Sequence, residues 1–317
     1  MMHSRFSLKA ISNPPLVVAS LALVVLIAIG FFMNDRFATL RNLANLLEQS
    51  APLGILALGQ MLVVLVGGID LSIGAIVTAT AVLVAALCDI YPDYAPLILI
   101  GTAGFGAMLG ALNGVIINRT GVHPLIVTLG TSSAINGGVL LYTMRPVGGV
   151  PVWLEDFAYG ATVGIPNAAI VMFVAFAVTG IFLNRTALGY AFYAVGGNPA
   201  AARAAGLSVS RVTVLAYAAS GFLAALAGIY FACRTGTGDP RVGEAMTLAS
   251  ITPVVVGGTA LGGGVGTVFG TLIGASLVSV LGNVLNYMNV STFAQWVVQG
   301  LVILAAVSIY VDRSRKS

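Results

Sequence analysis

Charge is what this sequence has least of. Asp, Glu, Lys and Arg make up only 8% of its 317 residues, against roughly 25% in an average soluble domain. A soluble fold so poor in charge could not cover its own surface. Histidine is scarce, at positions 3 and 123, and there are two cysteines, Cys88 and Cys233, with no CxxC pairing. Such a set offers neither a metal-ligand cluster nor a nucleophile with its base, which excludes metal-dependent and intramembrane hydrolytic enzymes. The cysteines read as small apolar filler, with a disulfide as the alternative because both fall near the outer ends of apolar runs. No G-x-x-x-x-G-K-[ST] stretch occurs, so the chain carries no P-loop for ATP. No polar stretch is long enough to form a separate soluble domain, and residues 1–317 read as one transmembrane domain.

What is present is apolar: 58% of the residues are hydrophobic and the mean hydropathy is +1.02. A membrane-spanning helix needs about 20 apolar residues. Ten segments qualify or nearly so: 15–33, 51–67, 72–88, 95–117, 123–142, 166–183, 212–233, 247–261, 265–285 and 293–311. The expected fold is therefore all-α and polytopic. The eighth segment is short and reads as tilted, broken or re-entrant. The first follows Arg5 and Lys9 but lacks an A-x-A cleavage site, so it reads as a retained helix rather than a signal peptide. Residues 34–50 place Phe37, Leu40, Leu43 and Leu47 at helical spacing, which suggests a separate interfacial helix. Residues 143–166 read as an ordered loop at the outer mouth.

Positive charge orients the chain. With the N-terminus cytoplasmic and ten crossings, nine of the 14 Lys and Arg lie inside: Arg5, Lys9, Arg119, Arg185, Arg203, Arg211, Arg313, Arg315 and Lys316. Only Asp70 and Asp312 join them, and the other eight acids lie outside. Both termini are thus expected in the cytoplasm. The basic balance reports orientation rather than nucleic-acid binding.

Two stretches repeat one another. Leu65–Ala75 reads LVGGIDLSIGA and Val255–Val265 reads VVGGTALGGGV. At an offset of 190, Gly67 and Gly68 match Gly257 and Gly258, and Gly74 matches Gly264. Internal repeats are common in transporters. A chain reversing at the membrane edge needs positive φ and close backbone approach, which glycine allows. The series Gly262, Gly266, Gly270, Gly274 has the four-residue spacing of close helix packing. Asp70 and Ser72 sit at the first turn. Asp70 either caps the following helix through free backbone N–H groups or takes part in gating.

The connection 184–211 is the most defined loop. Asn198 can cap a helix that begins at Pro199, Ala200–Ala205 favours that helix, and Gly206 can end it. The result is a stub helix beside Arg203 and Arg211. Membrane-embedded polar residues supply hydrogen-bonding candidates: Gln60, Asn113, Thr128, Ser132, Ser133, Asn136, Asn283, Asn286, Gln295 and Gln299. Of these, Gln60, Asn113, Ser132 and Asn136 are taken as lining a substrate path, with interhelical bonding as the competing role. His123, next to Pro124, reads as a helix cap more readily than as a ligand.

Three blocks resemble one family. Ala194–Val212, AVGGNPAAARAAGLSVSRV, is similar to the cytoplasmic coupling loop of ribose/xylose/arabinose-type ATP-binding cassette permeases. Gly67–Ala75 and Val254–Ala275 resemble two further blocks of that family, in the same order. The resemblance implies a subunit that pairs with a second permease, identical or homologous, in a bacterial cytoplasmic membrane. It implies a cytoplasmic ATPase that binds the ATP and docks on Gly196, Gly197, Asn198, Ala202, Arg203 and Gly206. It also implies a solute-binding protein that delivers a sugar, a ribose-like pentose by default and a nucleoside-like or other polyol cargo as the alternative. An ion-coupled secondary transporter fits less well, because such mechanisms use ionisable residues inside spans and these spans hold almost none.

Overall fold

Lipid offers no hydrogen bonds to a backbone, so apolar runs of this length must close as helices. The computed structural model describes residues 14–291, 293–298 and 300–302, and these are overwhelmingly helical. Helix α1 spans Pro14–Met33, α2 Leu40–Leu65, α3 Ile73–Ile90, α4 Ala95–Thr120 and α5 Pro124–Tyr142. After α6, Val152–Tyr159, strands β1, Ala161–Thr162, and β2, Ile165–Pro166, pair antiparallel. Then come α7 Asn167–Arg185, α8 Ala187–Gly197, α9 Pro199–Ala204, α10 Val209–Thr235, α11 Met246–Val256 and α12 Val268–Tyr287.

Among the described residues, eight helices are long and apolar enough to cross a membrane. The short α11 has 11 residues, about 16 Å at 1.5 Å per residue, against a hydrocarbon core of roughly 30 Å. Most of the expected segment 293–311, Gln299 and the terminal charges Arg5, Lys9, Asp312, Arg313, Arg315 and Lys316 lie outside the described residues.

The interfacial helix expected at 34–50 does not exist as a separate element. Thr39 caps α2 by accepting from the Asn42 N–H, and the helix runs unbroken through Glu48, Gln49 and Ser50 into the apolar span. The polar interruption is tolerated because Glu48 forms an ion pair with Arg234 at the far end of α10. The Arg234 guanidinium also lies 4.9 Å from the centroid of the Tyr159 ring.

Helix α10 is the centre of the bundle, packed against α2, α3 and α4. Its closest neighbour is α4, along a glycine seam. A methyl group added at Gly106 would lie 2.6 Å from the Gly221 carbonyl oxygen, and one at Gly114 would lie 2.7 Å from Val214 Cα. Gly110 is pressed onto the Tyr217 carbonyl between them. Glycines four apart let two backbones meet where no hydrophobic force separates helix from lipid. The series at 262–274 is different. Only Gly270 and Gly274 lie in α12, where they pack on the backbone of Gly257 and Pro253 at the end of α11. Gly262 and Gly266 belong to the preceding loop.

Cys88 and Cys233 are free thiols buried in one apolar cluster with Leu154 and Ala158 of α6.

Candidate functional site

Two features converge between α2 and α3: a glycine turn and a buried carboxyl group. At the end of α2 the Gly67 N–H donates to Val64 O at 2.9 Å and the Gly68 N–H to Val63 O at 3.0 Å, with Gly67 at φ +84°. This pattern closes helices on a left-handed residue. At the end of α11 the Gly258 N–H donates to Val255 O and the Thr259 N–H to Val254 O, both at 3.0 Å, with Gly258 at φ +85°. The repeat is therefore real as a turn, but its register is one residue from the sequence alignment. Gly67 corresponds to Gly258, and Gly68 to Thr259. The two copies then diverge. The first enters α3 at Ile73, whereas the second continues through Gly263 and Gly264, at φ +86° and +73°, before α12 begins at Val268. Gly74, matched to Gly264 by alignment, is instead inside α3.

Asp70 is fully buried in the first turn. Its Oδ1 accepts from the Ser72 N–H at 2.9 Å and from the Ser72 hydroxyl at 2.6 Å, and its Oδ2 accepts from the Ser220 hydroxyl of α10 at 2.9 Å. The carboxyl thus takes one backbone N–H at the start of α3, while Ser72, the capping residue itself, makes no side-chain cap bond. The Asn113 amide of α4 donates to Ser72 Oγ at 2.8 Å. In the orientation its neighbours require, the Gln60 amide of α2 brackets the Asp70 peptide, donating to its O at 3.1 Å and accepting from its N at 3.2 Å. Thr128 of α5 accepts from the Leu71 N–H at 3.1 Å, and the Tyr217 hydroxyl of α10 donates to Ile69 O at 3.3 Å. Four helices therefore hold one four-residue turn. No Lys, Arg or His forms an ion pair with Asp70 among the described residues. The group relies on hydroxyl and amide donors, which a buried polar atom needs to offset its lost hydration.

Gln60 and Asn113, expected on a substrate path, are both fully buried in this network. Their amides bond to the Asp70 turn, which is the interhelical role weighed against path lining. Ser132 and Asn136 differ. They stand half-buried on α5, a helix with little of its length covered, beside the open Gly137 and Gly138. The remaining polar candidates among the described residues pair between or within helices. Asn283 exchanges bonds with Asn42 at 3.2 Å, and the Gln295 amide donates to Asn286 Oδ1 at 2.8 Å. His123 Nδ1 accepts from the Leu125 N–H at 3.3 Å and so caps α5. Among the described residues, no three His, Cys, Asp or Glu side chains gather as metal ligands would.

The connection 184–211 holds two helices, α8 and α9, where the sequence suggests one. Thr186 caps α8 through the Gly189 N–H at 2.9 Å. Asn198 caps α9 by accepting from the Ala200 and Ala201 N–H groups, both at 3.0 Å, and Pro199 is its first residue. Gly206, at φ +84°, follows its end and lets the Leu207 N–H reach back to Ala202 O at 3.0 Å. Ala202 is buried, while Asn198, Arg203 and Gly206 are exposed. The stub is thus anchored by one small side chain and offers its other faces outward.

The same connection reaches both glycine turns. The Gly264 N–H donates to Leu65 O at 2.9 Å, joining the second turn to the end of α2. Gly196, at the end of α8, lies against that Leu65 carbonyl so closely that any side chain would collide with it and with Gly264 N. A side chain at Gly264 would meet Gly197 Cα at 2.5 Å. The Tyr193 hydroxyl adds a bond to Gly266 O at 3.2 Å. Three backbones from distant parts of the sequence meet at one point, and the exposed stub α9 follows directly from it.

These features define a polytopic membrane protein with an anchored, outward-facing helical stub beside a rigid buried turn. Comparison with known proteins places it more closely. Residues 42–307 match the family model described as "Branched-chain amino acid transport system / permease component", and the chain belongs to that permease family. It is 40% identical to the ribose import permease protein of Bacillus subtilis (strain 168), over 94% of this chain and 92% of that one. It is 37% identical to the ribose import permease protein of Escherichia coli (strain K12), over 91% of each chain. It is 32% identical to the D-allose transport system permease protein of Escherichia coli (strain K12), over 90% of this chain and 89% of that one. No solved structure matches.

Proposed function

We propose that this chain is the membrane-spanning permease subunit of an ATP-binding cassette importer that carries a sugar across the bacterial inner membrane. The cargo class follows the relatives, which are named for ribose, allose and galactose import. A ribose-like pentose is the first choice, since relatives at 37–40% identity carry that name. The chain is read as one of two permease subunits around a path, with ten membrane segments, both termini in the cytoplasm and a solute-binding protein at the outer face. ATP is bound by a separate cytoplasmic ATPase.

The observation that carries this reading is the seat of α9. An exposed stub that follows directly from the junction of both glycine turns suits a part that receives force from a partner. In this role Gly196 and Gly197 transmit displacement to Leu65 and Gly264, while Asn198, Ala202 and Gly206 define the stub. Arg203 supplies an exposed cation to the ATPase. Gly67, Gly68, Asp70, Ser72, Gly257 and Gly258 keep the two turns in shape during that displacement, and Ser132 and Asn136 of α5 face the path.

The test is co-purification of the cognate ATPase with the Arg203→Glu variant. Loss of the ATPase from a variant with an unchanged melting temperature is expected. Full retention of the ATPase would remove Arg203 from the contact.

A further inference from the structure

Helix α7 packs on α2 and α8, and α10 packs on α2, α3 and α4. Between α7 and α10 they leave a cavity of about 590 Å³. Leu62 of α2 and Phe192 of α8 belong to its lining, with Val174, Val178 and Phe182 on one wall and Phe222 on the other. Thr179 is the one polar side chain in the lining. Water needs two to four polar partners to stay in such a space, so this one excludes water. It is open to the side, since Val174 and Val178 are more than half exposed.

The lining runs along α7 from Ile170 to Phe182, about 18 Å at 1.5 Å per residue. That is close to the depth of one leaflet, half of a hydrocarbon core of roughly 30 Å. One end of the groove is cationic. Arg185 lies one turn beyond Phe182 on α7, and Arg211 one turn before Leu215 on α10, and both are exposed. No acid occurs anywhere between Asn184 and Arg211.

We propose that this groove binds an anionic glycerophospholipid of the bilayer, with an acyl chain between α7 and α10 and the phosphate at Arg185 and Arg211. Hydrocarbon is the solvent on the open side, and a flexible chain can fill a narrow irregular slot. A fixed positive pair at the headgroup end then selects negative lipids. The site holds α7 at a constant distance from α10. It rests on membrane residence alone and is independent of the transport reading.

Native mass spectrometry of the full-length chain, purified in a maltoside detergent and supplied with phosphatidylglycerol or phosphatidylcholine, tests this. One retained phosphatidylglycerol per chain is expected, with phosphatidylcholine retained more weakly. The surface variant Arg185→Gln/Arg211→Gln should lower phosphatidylglycerol retention by about 30-fold, from two cations near a charged headgroup at roughly 1 kcal/mol each, and leave phosphatidylcholine unchanged. Ala175→Trp, which narrows the slot, should lower retention of both lipids. Equal retention by wild type and both variants would overturn the proposal. So would a wild-type spectrum free of lipid, or an Ala175→Trp chain that loses a second copy of itself instead of a lipid.

Discussion

The Ser220 hydroxyl of α10 donates to the Asp70 carboxyl of the α2–α3 turn at 2.9 Å, across 150 residues of chain. This contact ties the central helix of the bundle to the first glycine turn. Asp70→Leu would leave the Ser72 and Ser220 hydroxyls without their acceptor, at about 1–3 kcal/mol for each buried group. Asp70→Asn keeps the size but turns an amide donor toward one of them. Both variants are expected to melt below wild type in detergent, Asp70→Leu the lower of the two. Equal melting temperatures would show that the network does not hold the turn.

Gly196 and Gly197 are neighbours with opposite surroundings. A methyl group at Gly196 would strike Leu65 O and Gly264 N, whereas one at Gly197 meets nothing within 4 Å. Gly196→Ala should therefore displace α8 from both turns and abolish transport, while Gly197→Ala keeps most of it. Uptake assays on cells carrying each variant check this, with membrane abundance measured alongside.

The α4–α10 seam makes a similar contrast. Gly110 is in backbone contact with Tyr217, and Gly104 is open. Gly110→Ala should destabilise the protein by about 1–3 kcal/mol or more through overpacking. Gly104→Ala should be neutral or slightly stabilising, because alanine is the better helix former. Thermal melts of the two variants separate these outcomes.

Glu48 and Arg234 pair with 15% and 30% of their side chains exposed. The paired atoms, Glu48 Oε1 and Arg234 Nη1, are themselves buried, so the pair should be worth more than an exposed one, on the order of 1–3 kcal/mol. A double-mutant cycle with Glu48→Gln and Arg234→Gln should give a coupling of about that size. A coupling near zero would mean that Arg234 is held instead by the Tyr159 ring.

Seven of the eight long helices could be read from the sequence within a few residues, and α2 apart from its first eleven, because a run of apolar residues in lipid has one solution for its backbone. Local chemistry was equally legible where it acts locally, as at Asn198, Pro199 and Gly206, or at His123. What the sequence obscured was long-range. Glu48, Gln49 and Ser50 looked like a break in α2 because the partner of Glu48 lies 186 positions away at Arg234. The turn repeat was visible, but its true register follows backbone hydrogen bonds, which the paired glycines alone leave ambiguous by one residue. Path lining and interhelical bonding could not be separated for Gln60 and Asn113, because their partner, the Asp70 turn, forms only when four helices assemble. Tyr217 and Ser220 were missed altogether. The signal was present, as two hydroxyls three apart on one face of an apolar span. Gly106, Gly110 and Gly114 were missed as well, although their four-residue spacing is as regular as the series at 262–274.

The proposed importer moves sugar only when an ATPase drives it. The most direct measurement is uptake of labelled ribose into vesicles that carry the purified chain with its cognate ATPase on the inner face and its binding protein added outside, with all ion gradients collapsed. Uptake that requires internal ATP, and that stops when the ATPase is omitted, is the expected result. Uptake by the chain alone under a proton or sodium gradient would contradict it.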